Sequence, residues 1–345
     1  MSRDLERQSP FHSHFIGFLY RQWLIHRKPI PPGTTLSGQT AIITGSNSGL
    51  GFEAARQLFE VGLSNLIMAV RSQSRGDAAA QKLQKEFPDS TITVWILDMT
   101  SYDSIRAFAK RCETLTRIDI VLLNAGLRSD YFQLLETTHH ELGFQVNYLS
   151  TALLAILLLP VLKSKKSPLP GTLPPRLSIV TSDTAYWAPP LKMPGPIIPQ
   201  FDNPTDFEPL KTYPRSKLMQ QYFVSRLADE VSADDVIITT ANPGLCKATG
   251  FGSDATKSAL GHMTFWIFQN LNGRAVEVGT SAVVDAVAAK GKESHGSYVS
   301  DWTIRPYPVL FYTKEGQQLR ERLWEETMEE LNFAGASKIV AEMKH

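Results

Sequence analysis

Residues 40–51 read TAIITGSNSGLG and join a short apolar run to a turn that contains three glycines. The apolar residues 40–44 predict a buried strand, and the pattern after Gly51 predicts a helix. Glycine at 45, 49 and 51 permits a tight turn and a close backbone approach to a phosphate, whose charge meets the helix N-terminus. The stretch therefore predicts a dinucleotide-binding turn. The alternative is an ordinary strand-to-helix turn.

Short apolar runs alternate with longer helical segments after this turn. Several runs are apolar on consecutive residues, as expected for strands that helices cover on both faces. The pattern predicts an α/β fold with a doubly wound (Rossmann-type), mostly parallel sheet of seven strands, and a ligand beyond the carboxyl ends of the strands. The predicted strands are 40–44, 65–70, 91–97, 118–123, 176–182, 236–241 and 297–300.

No repeat or long flexible linker divides the chain, so a single domain is predicted. We expect a helical arm over residues 1–36, a dinucleotide-binding catalytic domain over 37–312 and a helical extension over 313–345. Two long loops, 183–212 and 245–272, follow the fifth and sixth strands. Loops at this edge of a sheet usually determine substrate specificity.

The composition excludes several classes of protein. The 345 residues carry 35 basic and 34 acidic side chains, so no nucleic-acid partner is indicated. The two cysteines, Cys112 and Cys246, lie far apart, which favours a reducing compartment and a cytoplasmic location. No Cys/His cluster has the spacing of metal ligands, so no metal site is expected.

Two apolar stretches bear on membranes and on assembly. Residues 11–25 are too short to span a bilayer and predict a helix packed on the domain; the alternative is a helix lying on a membrane surface. Residues 149–162 have a length that suits a buried helix better than a spanning one. We therefore expect no transmembrane segment. Because the 149–162 helix could extend a helix bundle shared between two copies, we also predict a homodimer.

The end of the second predicted strand bears on the choice of cofactor. Arg71 stands there, without the acidic residue that would hold a ribose 2′-hydroxyl. A guanidinium can grip a 2′-phosphate in bidentate fashion, so the sequence favours NADP(H) over NAD(H). Asp98, after the third strand, is placed to accept a hydrogen bond from the adenine amino group; a cap for the following helix is the alternative.

Six motifs follow one another along the chain: Thr44–Gly51, Asn124–Gly126, Asn147, Ser182, Tyr213–Lys217 and Asn242–Gly244. In this order they resemble the short-chain dehydrogenase/reductase family from about residue 36 to residue 300, and within it the retinol-dehydrogenase-like branch. The N-terminal arm and the helical tail resemble fungal members that tailor secondary metabolites. The resemblance implies an oxidoreductase that uses a nicotinamide cofactor.

The chemistry of the catalytic candidates agrees with this resemblance. Tyr213 and Lys217 are four residues apart and so lie on one side of a helix. A nearby ammonium stabilises a phenolate, which lets Tyr213 donate or accept the proton of a carbonyl or alcohol oxygen. Ser182, at the end of the fifth strand, would hydrogen-bond that same oxygen. The resemblance assigns Asn147 to a water that links Lys217 to solvent, and Lys217 to the nicotinamide ribose.

Two positions depart from the family pattern. Pro214 would break a helix interior, so we expect the helix to begin here, with Thr212 as cap and Pro214 in the first turn. The family's hydroxyl contact to the nicotinamide falls on Ala248, and Thr249 is one residue late. The predicted cofactor-binding residues are Gly45, Ser46, Asn47, Ser48, Gly49, Leu50, Gly51, Arg71, Asp98, Asn124, Ala125, Gly126, Tyr213, Lys217, Pro243, Gly244 and Thr249.

The sequence is compatible with two functions. The first is an NADP(H)-dependent oxidoreductase acting on a bulky lipophilic ketone, aldehyde or alcohol, since the catalytic set is complete and lies beside long apolar loops. The second is a cofactor-binding sensor or scaffold without chemistry, a class that typically lacks the Tyr or the Lys. A serine hydrolase is excluded because no Gly-x-Ser-x-Gly motif contains Ser182.

Overall fold

The computed structural model describes residues 1–167, 172–193, 195–247 and 267–344, and a single eight-stranded sheet forms its centre. The strands are β1 Thr40–Thr44, β2 Asn65–Val70, β3 Thr91–Ile96, β4 Ile120–Leu123, β5 Arg176–Val180, β6 Ile237–Asn242, β7 Ser297–Ser300 and β8 Thr303–Arg305. Their spatial order is β3-β2-β1-β4-β5-β6-β7-β8. The neighbours β1 and β4 mark the point where the strand order reverses, and open α/β sheets bind ligands at such a point.

The predicted doubly wound fold is confirmed, with one correction to the strand count. Strands β1 to β7 pair in parallel, and these are the seven that the sequence predicts. The eighth strand, β8, pairs antiparallel with β7. A turn through Asp301 and Trp302, both with positive φ, joins the two strands. A strand of three residues at a sheet edge is too short to leave a period-2 pattern in the sequence.

Helices cover both faces of the sheet. In β1, Ile42 belongs to one buried cluster while Ala41 and Ile43 belong to the other, because successive strand residues point to opposite faces. The helices are α1 Ser9–Ser13, α2 Phe15–Leu24, α3 Gly49–Glu60, α4 Gln73–Glu86, α5 Tyr102–Cys112, α6 Leu142–Ser164, α7 Pro209–Glu230, α8 Val276–Ala288, α9 Lys314–Glu330 and α10 Ala336–Met343.

Helix α6 is the most apolar helix that the structure describes. By length and composition alone it could cross a membrane, but 89% of its most apolar window is buried inside the protein. Much of the cover comes from the C-terminal extension, since α10 packs on α6 and α9 packs on α7. The Tyr148 hydroxyl in α6 hydrogen-bonds the Thr327 hydroxyl in α9 at 2.7 Å. The chain itself therefore covers the helix on which the homodimer prediction was based.

The N-terminal arm packs on the domain through α2, as the sequence favours. The guanidinium of Arg21 is 1% exposed and lies between two carboxylates, Asp183 and Asp301. Next to it, the Gln22 amide donates to the carbonyl oxygens of Leu245 and Asn272. These contacts fix the arm to the loops that follow β5, β6 and β7.

The expectation that Pro214 lies in a first turn capped by Thr212 is wrong. Helix α7 already begins at Pro209, with Glu208 as its N-cap, and Pro214 lies inside the helix. Pro209 supplies the favourable first-turn proline, because the N–H it lacks would have no helical partner there. Pro214 costs the helix only the hydrogen bond to the Leu210 carbonyl, four residues earlier. Tyr213 and Lys217 still lie on one side of this helix.

Candidate active site

A cleft of about 720 Å³ opens at the carboxyl ends of the strands. Its floor is formed by the ends of β1, β2, β4, β5 and β6, and its far wall by α2 and the start of α7. This is where a doubly wound sheet binds a dinucleotide. The cleft brings the glycine turn and the catalytic candidates into one continuous space.

The turn after β1 has the backbone that its glycines predict. Gly45 and Gly49 have φ of +65° and +56°, a region in which other residues are strained. A Cβ on Gly51 would lie 2.5 Å from the Gly45 carbonyl oxygen, so α3 can start directly against the turn. Ser48, the N-cap residue, makes no side-chain cap hydrogen bond. The N–H groups of the first helical turn therefore remain available for an anion.

Among the predicted cofactor residues that the structure describes, Ser46 and Gly51 do not line the cleft. Ser46 is completely buried, and its hydroxyl has no hydrogen-bond partner among the described residues. Gly51 faces the Gly45 backbone and the Asn124 side chain. Their positions give them a role in shaping the turn, whereas their neighbours Asn47, Ser48 and Leu50 line the cleft itself.

The segment Asn124–Gly126, after β4, is tied to the same turn. The Asn124 amide donates to the Thr44 carbonyl oxygen at 2.9 Å, and the Ala125 N–H donates to the Thr44 hydroxyl at 2.9 Å. A Cβ on Gly126 would lie 3.1 Å from Asn147 Oδ1 and 3.5 Å from Lys217 Nζ. Because Gly126 has no side chain, the segment that is tied to the turn can also lie directly beside Asn147 and Lys217.

Arg71 and Asp98 lie at one end of the cleft, after β2 and β3. Arg71 is exposed, lines the cleft, and has no ion-pair partner within the described ranges. Asp98 also lines the cleft, while its Oδ1 accepts hydrogen bonds from the Thr100 N–H and hydroxyl. The sequence left open the alternative that Asp98 caps the following helix, and this alternative is wrong. The N-cap of α5 is Ser101, whose side chain accepts from the Ser104 N–H.

Ser182 and Tyr213 meet at the opposite end of the cleft. Their hydroxyl groups share a hydrogen bond, and both residues are partly buried at the cleft wall. Removal from water raises the pKa of Tyr213, which keeps its phenol protonated at neutral pH. Ser182 also caps the turn Asp183–Trp187 by accepting from the Thr184 N–H. The cap and the contact with Tyr213 hold the serine hydroxyl in place.

Lys217 reaches the cleft from α7, one helical turn after Tyr213. Its Nζ lies 5.7 Å from the centre of the Tyr213 ring and donates to the Val180 carbonyl oxygen at 2.9 Å. Burial lowers the pKa of the lysine to about 7, because a charged ammonium is poorly solvated there. Lys217 is therefore close to the point of exchanging a proton at neutral pH.

Asn147 lies behind the cleft in a π-helical turn of α6, Gln145–Leu149. Its side chain forms two hydrogen bonds with the backbone of Leu127, one accepted at 2.9 Å and one donated at 2.8 Å. Its backbone carbonyl accepts from the Gln220 amide at 2.6 Å. A π-turn inside an α-helix is frequently found at functional sites, because it displaces one residue from the regular ladder.

Pro243 and Gly244 follow β6 and line the cleft. Gly244 has φ of +75°, and a Cβ there would lie 2.6 Å from Gln22 Oε1 and 3.0 Å from an Arg274 nitrogen. Thr249 and Ala248 lie outside the described residues. Cys246 is buried, and burial raises the pKa of its thiol to about 12, which makes it a packing residue and not a nucleophile.

The sequence did not identify the aromatic wall of the cleft. We use this name for Phe15, Phe18, Trp187 and Phe268, which all line it. Phe18 packs edge-on against Trp187, with ring centres 5.4 Å apart, and stacks on Phe268 at 6.2 Å. The apolar pattern of residues 11–25 predicted a packed helix, but which face of that helix lines the cleft depends on long-range packing.

Among the described residues no group of three or more potential ligands could hold a metal ion.

Comparisons with known proteins agree with this geometry. The family model described as short chain dehydrogenase matches residues 39–168. The short chain dehydrogenase virL of Hypocrea virens is 51% identical over 346 residues, which span 100% of this chain and 99% of that protein. The short chain dehydrogenase/reductase mfmJ of Annulohypoxylon moriforme is 49% identical, over 91% of this chain and 90% of that one.

Solved structures show the same fold at low sequence identity. A short chain dehydrogenase from Shigella flexneri has a TM-score of 0.57 at 19% identity, covering 79% of this chain and 94% of its own. The RhlG/NADP active-site complex from Pseudomonas aeruginosa also has a TM-score of 0.57, at 18% identity, covering 79% and 97%. The fold, the ordered motifs and the full-length fungal relatives lead to one conclusion: the chain belongs to the short-chain dehydrogenase/reductase family.

Proposed function

We propose that the protein is an NADP(H)-dependent oxidoreductase that transfers hydride between the nicotinamide and a carbonyl or alcohol carbon of a lipophilic small molecule. One observation carries this proposal. Ser182, Tyr213 and Lys217 converge at one end of a cleft that the glycine turn after β1 also lines. A dinucleotide bound along this cleft would have its pyrophosphate at the turn and its nicotinamide at the catalytic candidates.

The residues present fit such a cofactor. The turn leaves no room for a side chain at Gly51, and the first residues of α3, Gly49 and Leu50, line the cleft, where uncapped N–H groups would favour a phosphate. Arg71 would meet the 2′-phosphate, Asp98 the adenine, and Lys217 the nicotinamide ribose. The segments Asn124–Gly126 and Pro243–Gly244 would line the cofactor's length. When bound, NADPH supplies the hydride for reduction, and NADP⁺ accepts one in oxidation.

In reduction, Tyr213 is the general acid. Its raised pKa keeps the phenol neutral, ready to donate its proton to the substrate oxygen as negative charge develops there. Ser182 donates a hydrogen bond to the same oxygen and fixes its position. The ammonium of Lys217 stabilises the phenolate that remains on Tyr213. Asn147 supports this group from behind, holding the Leu127 backbone next to Gly126.

A lipophilic substrate is supported by the composition of the far wall. The aromatic wall and the exposed Leu210 border the cleft beside Ser182. Apolar pockets with a few converging polar groups are typical of sites for small organic molecules. The fungal origin of the similar dehydrogenases agrees with a role in fungal secondary metabolism.

The preference for NADP(H) rests on Arg71 and on the lack of an acidic residue beside it. The solved RhlG complex of similar fold is an NADP complex, which agrees with this preference.

We place the protein in the cytoplasm, with residues 37–312 as its catalytic domain. Side chains on the outer face of α2, such as Ile16, Trp23 and Leu24, are exposed, so contact with a membrane surface remains the second interpretation of residues 11–25.

Replacing the general acid tests the proposal. Purified protein with NADPH and a panel of lipophilic ketones and aldehydes should oxidise the cofactor, followed by absorbance at 340 nm. Tyr213→Phe should lower kcat by about 10³-fold, because the proton donor is lost while the ring stays. Tyr20→Phe removes the same hydroxyl from an exposed tyrosine of α2 and should leave kcat unchanged. Retained turnover in Tyr213→Phe would remove Tyr213 from its assigned role.

The alternative of a silent cofactor-binding sensor gives a different result in the same experiment. Such a protein would bind NADPH, seen as a rise in melting temperature, without turning over any carbonyl or alcohol offered. The complete set of Ser182, Tyr213 and Lys217 favours catalysis over this alternative.

A further inference from the structure

The N-terminal arm contributes directly to the substrate side of the cleft. Phe15 and Phe18 of α2 line the cleft together with Ser182 and Tyr213, although more than 160 residues separate the two pairs along the chain. Phe18 is 3% exposed, so its ring is part of the packed wall, while Phe15 is 53% exposed and stands at the opening. A segment outside the ordered motifs therefore lines the same cleft as the catalytic candidates.

The arm is fixed in this position and does not act as a mobile lid. Arg21 Nη2 lies 3.4 Å from an Asp183 carboxylate oxygen, and Asp183 directly follows Ser182. Asp301 pairs with both Arg21 and Arg274, whose Nη2 lies 2.6 Å from Asp301 Oδ1. All four side chains are at most 6% exposed, so separating them would leave charges without partners in a dry environment.

A close helix crossing sets the direction of the arm. A Cβ on Gly17 would lie 2.0 Å from the Phe11 carbonyl oxygen, so only glycine lets α1 and α2 pack this closely. The Trp187 indole N–H donates to the Ser13 carbonyl oxygen at 2.8 Å. The junction of the two helices therefore orients Trp187 as well as the phenylalanines.

The rings of the aromatic wall are arranged as a set. Phe15 and Phe18 stack with ring centres 5.8 Å apart and planes inclined by 25°. Phe268 stacks on both, at 6.4 Å from Phe15 and 6.2 Å from Phe18, with planes inclined by 28° and 17°. Trp187 closes the set edge-on against Phe18, at an interplanar angle of 70°.

This arrangement favours a flat aromatic ligand over a saturated ligand. Near-parallel rings with one perpendicular indole offer both the stacked and the edge-to-face contacts that aromatic pairs prefer. A saturated ligand of the same size gains binding free energy only from the burial of apolar area. Trp187 lies on the turn that Ser182 caps, so a ring held here stands next to the hydroxyl that would bind the substrate oxygen.

We propose that Phe15 and Phe18 of the N-terminal arm are specificity-determining residues, which with Trp187 and Phe268 hold a flat aromatic ring of the substrate. The substrate class is thus an aromatic aldehyde or ketone, or the matching alcohol, with the carbonyl attached to or close to the ring. This inference rests on the proposed function, and it names the class of molecule for which that function is selective.

A pair of aldehydes with the same carbon skeleton tests the inference. The flat member is 2-naphthaldehyde, and the saturated member is decahydronaphthalene-2-carbaldehyde. Phe18→Leu and Phe15→Leu keep an apolar side chain but remove the ring face. Each variant should raise KM for the flat aldehyde about three- to tenfold with kcat unchanged, and change KM for the saturated aldehyde less than about twofold.

Tyr20→Leu is the matched control. It removes an aromatic ring from the same helix, but Tyr20 is exposed and does not line the cleft. It should change KM for neither aldehyde. Phe15 is the safer of the two test positions for folding, because about half of its side chain is already exposed. Equal losses for both aldehydes, or an unchanged KM for 2-naphthaldehyde, would overturn the inference.

A binding measurement separates the inference from the proposed function. The alcohol 2-naphthalenemethanol, titrated by calorimetry into protein with NADPH, cannot react because both molecules are reduced. It should bind the unaltered chain and bind Phe18→Leu three- to tenfold more weakly. If no aldehyde is turned over but this difference persists, the proposed catalysis fails and the aromatic site stands. If aldehydes are turned over but 2-naphthalenemethanol binds both proteins equally, the aromatic site fails alone.

Discussion

In the proposed reaction, Lys217 is the residue at which burial and catalysis oppose each other. Its ammonium has to be charged to stabilise a phenolate, yet its position under the cleft lowers its pKa from 10.5 to about 7. Its one described hydrogen bond, to the Val180 carbonyl oxygen, does not offset the loss of water. The charge needed for catalysis is therefore only partly present at neutral pH before the cofactor binds.

This conflict predicts a pH dependence. Because the pKa of Lys217 is lowered to about 7, the ammonium predominates below pH 7 and is lost as the pH rises through that value. Tyr213 stays protonated over the same range, since its own pKa is raised. We expect kcat/KM for NADPH, which reports the enzyme before the cofactor binds, to fall about tenfold per pH unit above this pKa. Initial rates at saturating carbonyl between pH 5.5 and 9.5 measure it.

Lys217→Arg provides the control for that profile. A guanidinium stays charged throughout the range, so this variant should lose the descending limb even if its overall rate is lower. A profile of the unaltered protein that is flat up to pH 9 would mean that the charge on Lys217 does not limit the reaction.

The proposed preference for NADP(H) depends on Arg71. A bidentate contact to a 2′-phosphate contributes about 2 kcal/mol, so Arg71→Ala should weaken NADPH binding about 30-fold and NADH binding less than about twofold. Arg75→Ala is the matched control, because Arg75 is also exposed but does not line the cleft. Calorimetric titration with both cofactors measures the difference. Equal losses for NADPH and NADH would mean that Arg71 does not contact the phosphate.

At the scale of elements, local patterns predicted the glycine turn and the strands but not the way in which the arm docks. The turn depends on a few residues within one stretch, whose geometry follows from glycine alone. Docking of α2 depends on Arg21, a lone charge in an apolar stretch, meeting Asp183 and Asp301 from distant loops. The available signal was that lone arginine, since a charge on the apolar face of a helix needs a partner.

The start of α7 shows a similar limit. Proline is favoured in the first turn of a helix, so Pro214 predicted that the helix begins near residue 213. The predicted start was too late in the chain. Pro209 begins the helix instead, and the buried side chains of its following turns compensate for one missing hydrogen bond at Pro214. Tertiary packing thus outweighed a local preference, while the relation between Tyr213 and Lys217 was unaffected.

The docking of the arm predicts a large effect of one substitution. Arg21→Met keeps the length of the side chain but leaves the Asp183 carboxylate buried without its cation. We expect a loss of about 3 kcal/mol in the free energy of unfolding, at the low end for a broken buried pair because Arg274 remains beside Asp301. Urea denaturation measures it. Arg27→Met removes the same charge from an exposed position and should cost less than about 0.5 kcal/mol.

At the scale of the whole molecule, the sequence could not show which apolar surfaces the chain covers by itself. The apolar residues 149–162 predicted a helix bundle shared between two copies. In the structure, α9 and α10 contribute Leu319, Leu323 and Val340 to the same buried cluster as α6. The homodimer stays an untested prediction without its original reason, and any dimer would have to use another surface.

The same C-terminal extension is connected to loop 183–212 by His140. Its Nδ1 lies 2.8 Å from an Asp202 oxygen in loop 183–212, and its Nε2 lies 3.0 Å from a Glu330 oxygen at the end of α9. Although burial opposes the charge, the two carboxylates raise the pKa of His140 to about 9. The imidazolium therefore joins the start of α6, the loop and the extension.

A raised histidine pKa stabilises the fold at low pH. The contribution is complete below the unfolded pKa, near 6.5, and is lost as the pH rises through about 9. His140→Gln should lower the free energy of unfolding by about 2 kcal/mol at pH 6 and by clearly less at pH 9.5. Lys338→Gln, in an exposed ion pair with Glu342, should change it little at either pH. Urea denaturation at both pH values decides, since a loss from His140→Gln that is independent of pH would show that packing, and not the charge, makes this connection.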